Sequence, residues 1–202
     1  MALSALERIE SLVDDHSFVE IGTGVTARNT DFNLAGSKLK GDGVITGHGL
    51  VDGGLIFIYA QDEEVLGGSI GEMHVKKIAR MYELAAKMGA PVVGLMSSSG
   101  VRIQESFDAS ESLAFLMQTV AKTSGYVPQI LGIFGKCAGI LTAFASMHDF
   151  VYMTDDSSVY LSSPDAIKGN DRSKIDNSSA SFRYEAGSVD GIGSEFEVIW
   201  NM

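Results

Sequence analysis

The hydrophobic pattern of this chain changes period repeatedly, and glycine marks most of the changes. Residues 3–13 place Leu3, Leu6, Ile9 and Val13 at helical spacing, with Glu and Arg on the other side, which predicts an amphipathic helix. Three runs rich in Val, Ile, Phe and Tyr follow, at 18–26, 43–51 and 55–59, each bounded by Gly or Asp, and they predict strands. Asp52-Gly53-Gly54 separates the last two. Residues that accept a positive φ match the twist of a hairpin, so these strands are expected to be antiparallel neighbours. From Ile70 the spacing changes to three and four through Met73, Ile78, Met81, Leu84, Ala85 and Met88, and stops at Gly89 before Pro91. That predicts a helix of about five turns.

The alternation then continues. Strands are expected at 91–96, 128–134 and 150–153, with helices at 109–123 and 138–147 between them. Strands that alternate with helices imply βαβ-type units and an α/β fold. Residues 171–181 are polar and weakly patterned. Ser194-Glu-Phe-Glu197 is a capping box for a last helix, which is short enough to be marginal unless packed. No repeat, charge run or low-complexity linker marks a boundary, so a single domain is expected over residues 1–202.

Composition narrows the function. A net charge of −11 provides no basic footprint for nucleic acid or an anionic membrane. One cysteine, Cys137, cannot form a disulfide framework or a zinc ribbon, and it suits a reducing compartment. The amino end lacks the apolar core of a signal peptide, and the apolar stretch at 126–153 is broken by Gln129, Lys136, His148 and Asp149. A soluble, cytoplasmic protein is expected.

Among candidate motifs, Gly67-Gly-Ser-Ile-Gly71 matches the G-x-S-x-G nucleophile elbow and precedes a helix. Three acidic residues separate it from the preceding strand, and a glycine turn that offers backbone N–H groups at a helix start is the favoured reading. Gly41-Asp-Gly43 opens a strand and reads as turn chemistry. His74 lacks a second His at metalloprotease spacing, and no metal is expected. Cys137 reads as a small buried filler. Two strand-to-helix turns carry more: Ser97-Ser-Ser-Gly-Val-Arg-Ile-Gln-Glu105 and Gly135-Lys-Cys-Ala-Gly139. Such turns aim free N–H groups at one point, as a developing oxyanion requires. From spacing alone, glycines that serve only close packing are an equal alternative.

Taken in order, Gly41-Asp-Gly-Val-Ile-Thr-Gly47, Gln61-Asp62, Gly67-Gly-Ser-Ile-Gly-Glu-Met-His74, Lys77-Ile78, Lys87-Met-Gly-Ala-Pro-Val92, Arg102-Ile-Gln-Glu105, Pro128-Gln129 and Cys137-Ala-Gly139 resemble the signatures of a known family. It is the carboxyltransferase family of biotin-dependent carboxylases and decarboxylases, which includes subunits of acetyl- and propionyl-CoA carboxylases and of glutaconyl-CoA and malonate decarboxylases. The likeness runs over residues 17–190, including Thr30-Asp-Phe32 and Ala186-Gly-Ser-Val-Asp190. It implies a crotonase-like spiral of ββα units. It also implies an acyl-CoA site in which two backbone N–H groups hold the thioester oxygen, at Gly100 or Val101 and at Gly139 or Ile140. Arg28, Lys38 and Lys40 fall on the segment that meets coenzyme A. Biotin on a carrier protein is the implied carboxyl carrier, and homo- or hetero-oligomers are the implied assembly. Members carry two related halves, and this chain matches the first, so a separate carboxy-terminal half is the implied partner.

Two positions depart from the family pattern. Ser99 stands where it has a glycine, and Ile140 replaces the last glycine of Cys-Ala-Gly-Gly, which places a β-branched side chain where an acyl group should approach. These departures keep open a non-catalytic or degenerate assembly subunit, and a stand-alone crotonase-like thioester hydrolase or decarboxylase acting without biotin is a further alternative. For the latter, Glu72, Glu105 and His74 are the acid–base candidates, each with a structural alternative.

Overall fold

A computed structural model describes residues 3–28, 41–162 and 176–202. Helix α1 (Ala5–Leu12) starts at Ser4, whose Oγ accepts the Glu7 N–H while the Glu7 carboxylate accepts the Ser4 N–H. Strands β1 (Val19–Glu20), β2 (Val44–Val51) and β3 (Gly54–Gln61) pair antiparallel. The expected hairpin is present. Asp52 (φ 49°) and Gly53 (φ 76°) make its turn, and the Asp14 carboxylate accepts both of their N–H groups. The strand expected at 18–26 is reduced to two residues. Ile21 still donates to Thr46 O, but Gly22 (φ 82°) turns the chain away and Val25 N–H closes back on Gly22 O.

Helix α2 (Glu72–Met88) has the expected length and ends at Gly89 in the left-handed conformation, φ 69°. Strand β4 (Val92–Ser98), helix α3 (Ser106–Thr123), strand β5 (Gln129–Ala138), helix α4 (Leu141–Ala145) and strands β6 (Phe150–Thr154) and β7 (Ser158–Tyr160) follow. Helix α5 (Ala180–Glu185), strand β8 (Gly191–Gly193) and helix α6 (Glu195–Asn201) complete the described chain. The sheet runs β1-β2-β3-β4-β5-β6-β8, and every pairing from β3 onward is parallel.

The long β5 sets the shape. Its first half lies between β4 and β6; after a register shift between Met96 and Ser98, its last residues pair with β7 instead. The sequence places the end of this strand at Phe134 and starts a helix at Ala138. The structure instead carries the strand through to Ala138, which is paired with Tyr160, and shortens α4 to five residues. Helix α3 begins earlier than its pattern predicts, at Ser106.

Successive residues of a strand face opposite sides of a sheet. Phe57, Tyr59, Val92, Met96, Leu131 and Ile133 join one apolar cluster with α2 and α3, while Ile56, Ile58, Val93, Leu95 and Phe134 join a second with α1 and α6. The sheet is therefore a middle layer. Helix α6 has only seven residues, yet it buries Val198 and Ile199 and carries its capping box. Burial of one such side chain contributes about 1.5–3 kcal/mol, enough to hold a helix too short to persist alone. Among the described residues, no helix is long and apolar enough to cross a membrane.

Candidate active site

The parallel strands β4 and β5 both end in glycine turns, and the turns meet. Ser98 pairs with Cys137 across the two strand ends, and a Cβ on Gly100 would stand 3.5 Å from Ala138 O. Gly100 (φ 113°) and Gly139 (φ 66°) adopt backbone that L side chains rarely accept.

Hydrogen bonding divides the four candidate donors. Gly139 N–H donates to Tyr160 O at 2.9 Å, and Gly100 N–H lies 3.3 Å from Ser98 Oγ. Val101 N–H and Ile140 N–H have no acceptor among the described residues. The peptides that flank Val101 are clamped: Ile70 N–H donates to Gly100 O at 2.9 Å, and Arg102 N–H donates to Ile70 O at 2.8 Å. A parallel bridge of this kind turns the intervening Val101 N–H away from Ile70. Ile140 occupies ordinary helical backbone (φ −60°) as the N-cap of α4, and Ser99 is not among the residues with positive φ. Neither departure from glycine strains the main chain.

Behind the first turn lies a buried ionic network. The Arg102 side chain has no solvent exposure; its Nη2 donates to Ser69 O at 2.8 Å, its Nε reaches Ser69 Oγ at 3.3 Å, and its Nη1 contacts Asp42 Oδ1 and Glu105 Oε1. Glu105 Oε2 accepts the Glu72 N–H at 2.6 Å and Asp42 Oδ2 accepts the His74 N–H at 2.8 Å. Two carboxylates thus occupy the amino end of α2 and take up backbone N–H groups that the glycine turn presents there. A Cβ on Gly71 would overlap both Glu105 and Arg102, so the glycine is needed for this approach. Burial raises the pKa of Asp42, against the pull of Arg102.

His74 belongs to the same network. Its Nδ1 is 2.9 Å from Asp42 O, a carbonyl that can only accept, so Nδ1 carries the proton and Nε2 accepts from Gln61 Nε2 at 3.0 Å. Burial pushes its pKa down to about 3 and keeps it neutral. The sequence motifs contained these residues, but reading along the chain assigned no role to Asp42 and Arg102, which are 60 positions apart. The Arg-x-x-Glu spacing was the one local signal.

The remaining candidates sort plainly. Ser69 is buried against Arg102, and His74, five residues on in α2, is committed to Asp42 O and Gln61, so no nucleophile elbow forms. His148 is closed off as well: its Nδ1 faces Phe144 O and Ala145 O, its Nε2 accepts from Tyr82 Oη at 2.8 Å, and burial lowers its pKa to about 4. Cys137 is fully buried, and burial raises its thiol to about 12, so it acts as a core filler. Glu72 pairs with Lys76 and Arg28, and Lys76 is the first cause of its lowered pKa. Arg28 lines a surface groove with Val25, Thr26 and Met73; its guanidinium pairs with Glu72 at 2.9 Å and with Asp108. Lys38, Lys40 and Thr30-Asp-Phe32 lie outside the described residues.

A three-layer α/β arrangement in which two glycine turns converge at the ends of adjacent parallel strands is that of crotonase-fold carboxyltransferases. The comparisons agree with this class. The model of the carboxyl transferase domain matches residues 2–185, and the chain belongs to that family. It is 43% identical to the propionyl-CoA carboxylase beta chain of Roseobacter denitrificans over 167 residues, which is 82% of this chain and 33% of that protein. It is 42% identical to the methylmalonyl-CoA decarboxylase subunit alpha of Veillonella parvula, with 82% of this chain and 33% of that protein covered. Transcarboxylase 12S, solved with methylmalonyl-coenzyme A bound, superposes with a TM-score of 0.94 at 30% identity, covering 99% of this chain and 40% of that one. A chain of the Pseudomonas malonate decarboxylase MdcD-MdcE hetero-dimer superposes at 0.82 and 25% identity, covering 98% of this chain and 83% of that one. The chain spans about a third of the length of the curated relatives it matches.

Proposed function

We propose that this chain is the acyl-CoA-binding half of a biotin-dependent carboxyltransferase, and that it holds the thioester oxygen between Val101 N–H and Ile140 N–H. The observation that carries the reading is that these two donors, on turns that touch, have no acceptor among the described residues, while their neighbours Gly100 and Gly139 are engaged. Departure of an α-carboxyl group as carbon dioxide, or of the α-proton to a base brought with biotin by the complementing half, leaves its electron pair on the α-carbon. The pair moves onto the carbonyl oxygen, and donors fixed before the reaction stabilise that charge without reorganising. Each such donor lowers the barrier by about 2.7–4 kcal/mol. The same pair then forms the bond to carbon dioxide or to a proton, so one hole serves carboxylation and decarboxylation.

Biotin on a carrier protein is the carboxyl carrier that the family resemblance implies, and bound at a second, carboxy-terminal half it would supply the carboxyl group. Hetero-dimeric assembly of the similar malonate decarboxylase supports a partner for this half. For coenzyme A we assign the surface groove that Arg28 lines, with Lys38 and Lys40 following ten and twelve residues later in the sequence. The absence of a spanning helix among the described residues is compatible with a cytoplasmic complex. A stand-alone hydrolase is disfavoured, because Glu105 and His74 are locked in the buried network and Glu72 is ion-paired.

Calorimetric titration with acetyl-, propionyl- and malonyl-CoA, with and without the complementing half, tests the proposal. Binding of at least one thioester is expected, and no binding of any would overturn it.

A further inference from the structure

The four backbone positions around the proposed oxyanion hole carry only two side chains. Gly100 and Gly139 have none. Val101 is packed against the main apolar cluster, so its side chain belongs to the core. Ile140 is 46% exposed and joins neither cluster. Its main chain does not require exposure of a β-branched residue, since φ −60° suits any amino acid. One uncommitted aliphatic group therefore stands at the hole.

We infer that the Ile140 side chain is the wall that limits acyl-chain length, making this a site for two- and three-carbon acyl thioesters. The inference rests on the Val101–Ile140 hole proposed above. An amide nitrogen lies about 2.5 Å from its own Cβ, and an oxygen it hydrogen-bonds lies about 2.9 Å away, which puts the carbonyl oxygen within about 5 Å of the Ile140 side chain. The substituents of the acyl α-carbon, two bonds from that oxygen, fall in the same zone. A β-branched side chain has little rotamer freedom with which to move aside. Acetyl and propionyl groups fit beside it and gain apolar contact; a longer chain meets its γ carbons.

The test is the ratio of dissociation constants for hexanoyl-CoA and propionyl-CoA, measured by calorimetry on the protein with its complementing half, with free coenzyme A as the reference. For the unaltered protein, propionyl-CoA is expected to bind more than about tenfold tighter than hexanoyl-CoA, which is three methylenes longer, since a single methylene already gives about tenfold in an apolar pocket. Ile140→Ala should reduce that ratio about tenfold or more, through tighter hexanoyl-CoA binding, with the affinity for free coenzyme A unchanged. Tyr126→Ala, exposed where β5 begins and so at the other end of that strand, should leave the ratio as it is. If thioesters bind but Ile140→Ala does not change the ratio, the specificity role is wrong and the hole can stand. If no thioester binds, both fall.

Discussion

Arg102 Nη1 holds Glu105 Oε1 at 2.8 Å with neither side chain exposed to solvent, and the other oxygen of that carboxylate caps α2 at Glu72 N–H. The ion pair therefore joins the first glycine turn to the start of α2, a helix of 17 residues. Removing one partner of a buried pair leaves an uncompensated charge, at a cost of about 3–5 kcal/mol. Arg102→Ala is expected to lower stability by that amount in urea unfolding. Arg102→Lys should recover part of it, because an ammonium restores the charge but not the planar fork that reaches Ser69, Asp42 and Glu105 together.

His74 and His148 predict the acid limb of stability. Both are held neutral by burial, with folded pKa values of about 3 and about 4 against an unfolded value near 6.5. Depressed values mean the unfolded chain binds these protons first, so their contribution is complete above about pH 6.5 and is lost as the pH falls toward the folded values. Between pH 6 and 4.5 stability should fall by up to about 2.7 kcal/mol per pH unit, about 1.4 for each histidine. Chemical denaturation across this window measures the slope. A flat profile would contradict the neutral buried assignment.

Two glycines with similar φ should differ sharply. Gly53 (φ 76°) sits in the open hairpin turn with nothing near a Cβ, whereas a Cβ on Gly68 (φ 65°) would stand 2.0 Å from Ser97 O. Gly53→Ala should cost about 1–2 kcal/mol, the strain of a left-handed L residue. Gly68→Ala adds a backbone overlap and should exceed about 3 kcal/mol, or prevent folding. Thermal unfolding of the two variants side by side gives the comparison.

Much of this fold was legible because the decisive signals were local. Asp52-Gly53 announced its hairpin, and Gly89 before Pro91 announced the end of α2. Errors arose where a distant strand decided. Ala138 read as a helix start with Cys137 in the turn before it, yet β7, some twenty residues later, pairs with both and keeps them extended. Residues 21–26 carry strand-like side chains, but Gly22 turns them out of the sheet. At the site, glycine spacing located both turns. Which N–H groups are free depends on Tyr160 O and Ser98 Oγ, and the sequence holds no record of those bonds.

Helix α6 provides a prediction about local stability. Its Ser194 Oγ accepts the Glu197 N–H, and Arg8 of α1 reaches Glu195 Oε1 at 2.5 Å. Ser194→Ala should cost about 1 kcal/mol, the loss typical of an N-cap. Amide hydrogen exchange should accelerate in α6 well before it does in β4, because a seven-residue helix depends on its cap and its packing.

The most direct measurement of the central claim is isotope-edited infrared spectroscopy of propionyl-CoA carrying carbon-13 at the thioester carbonyl. When the carbonyl oxygen is held by Val101 N–H and Ile140 N–H, the bound carbonyl stretch should move to lower frequency than in water. A bound thioester with an unshifted carbonyl, or one shifted upward as in a dry apolar pocket, would contradict the account.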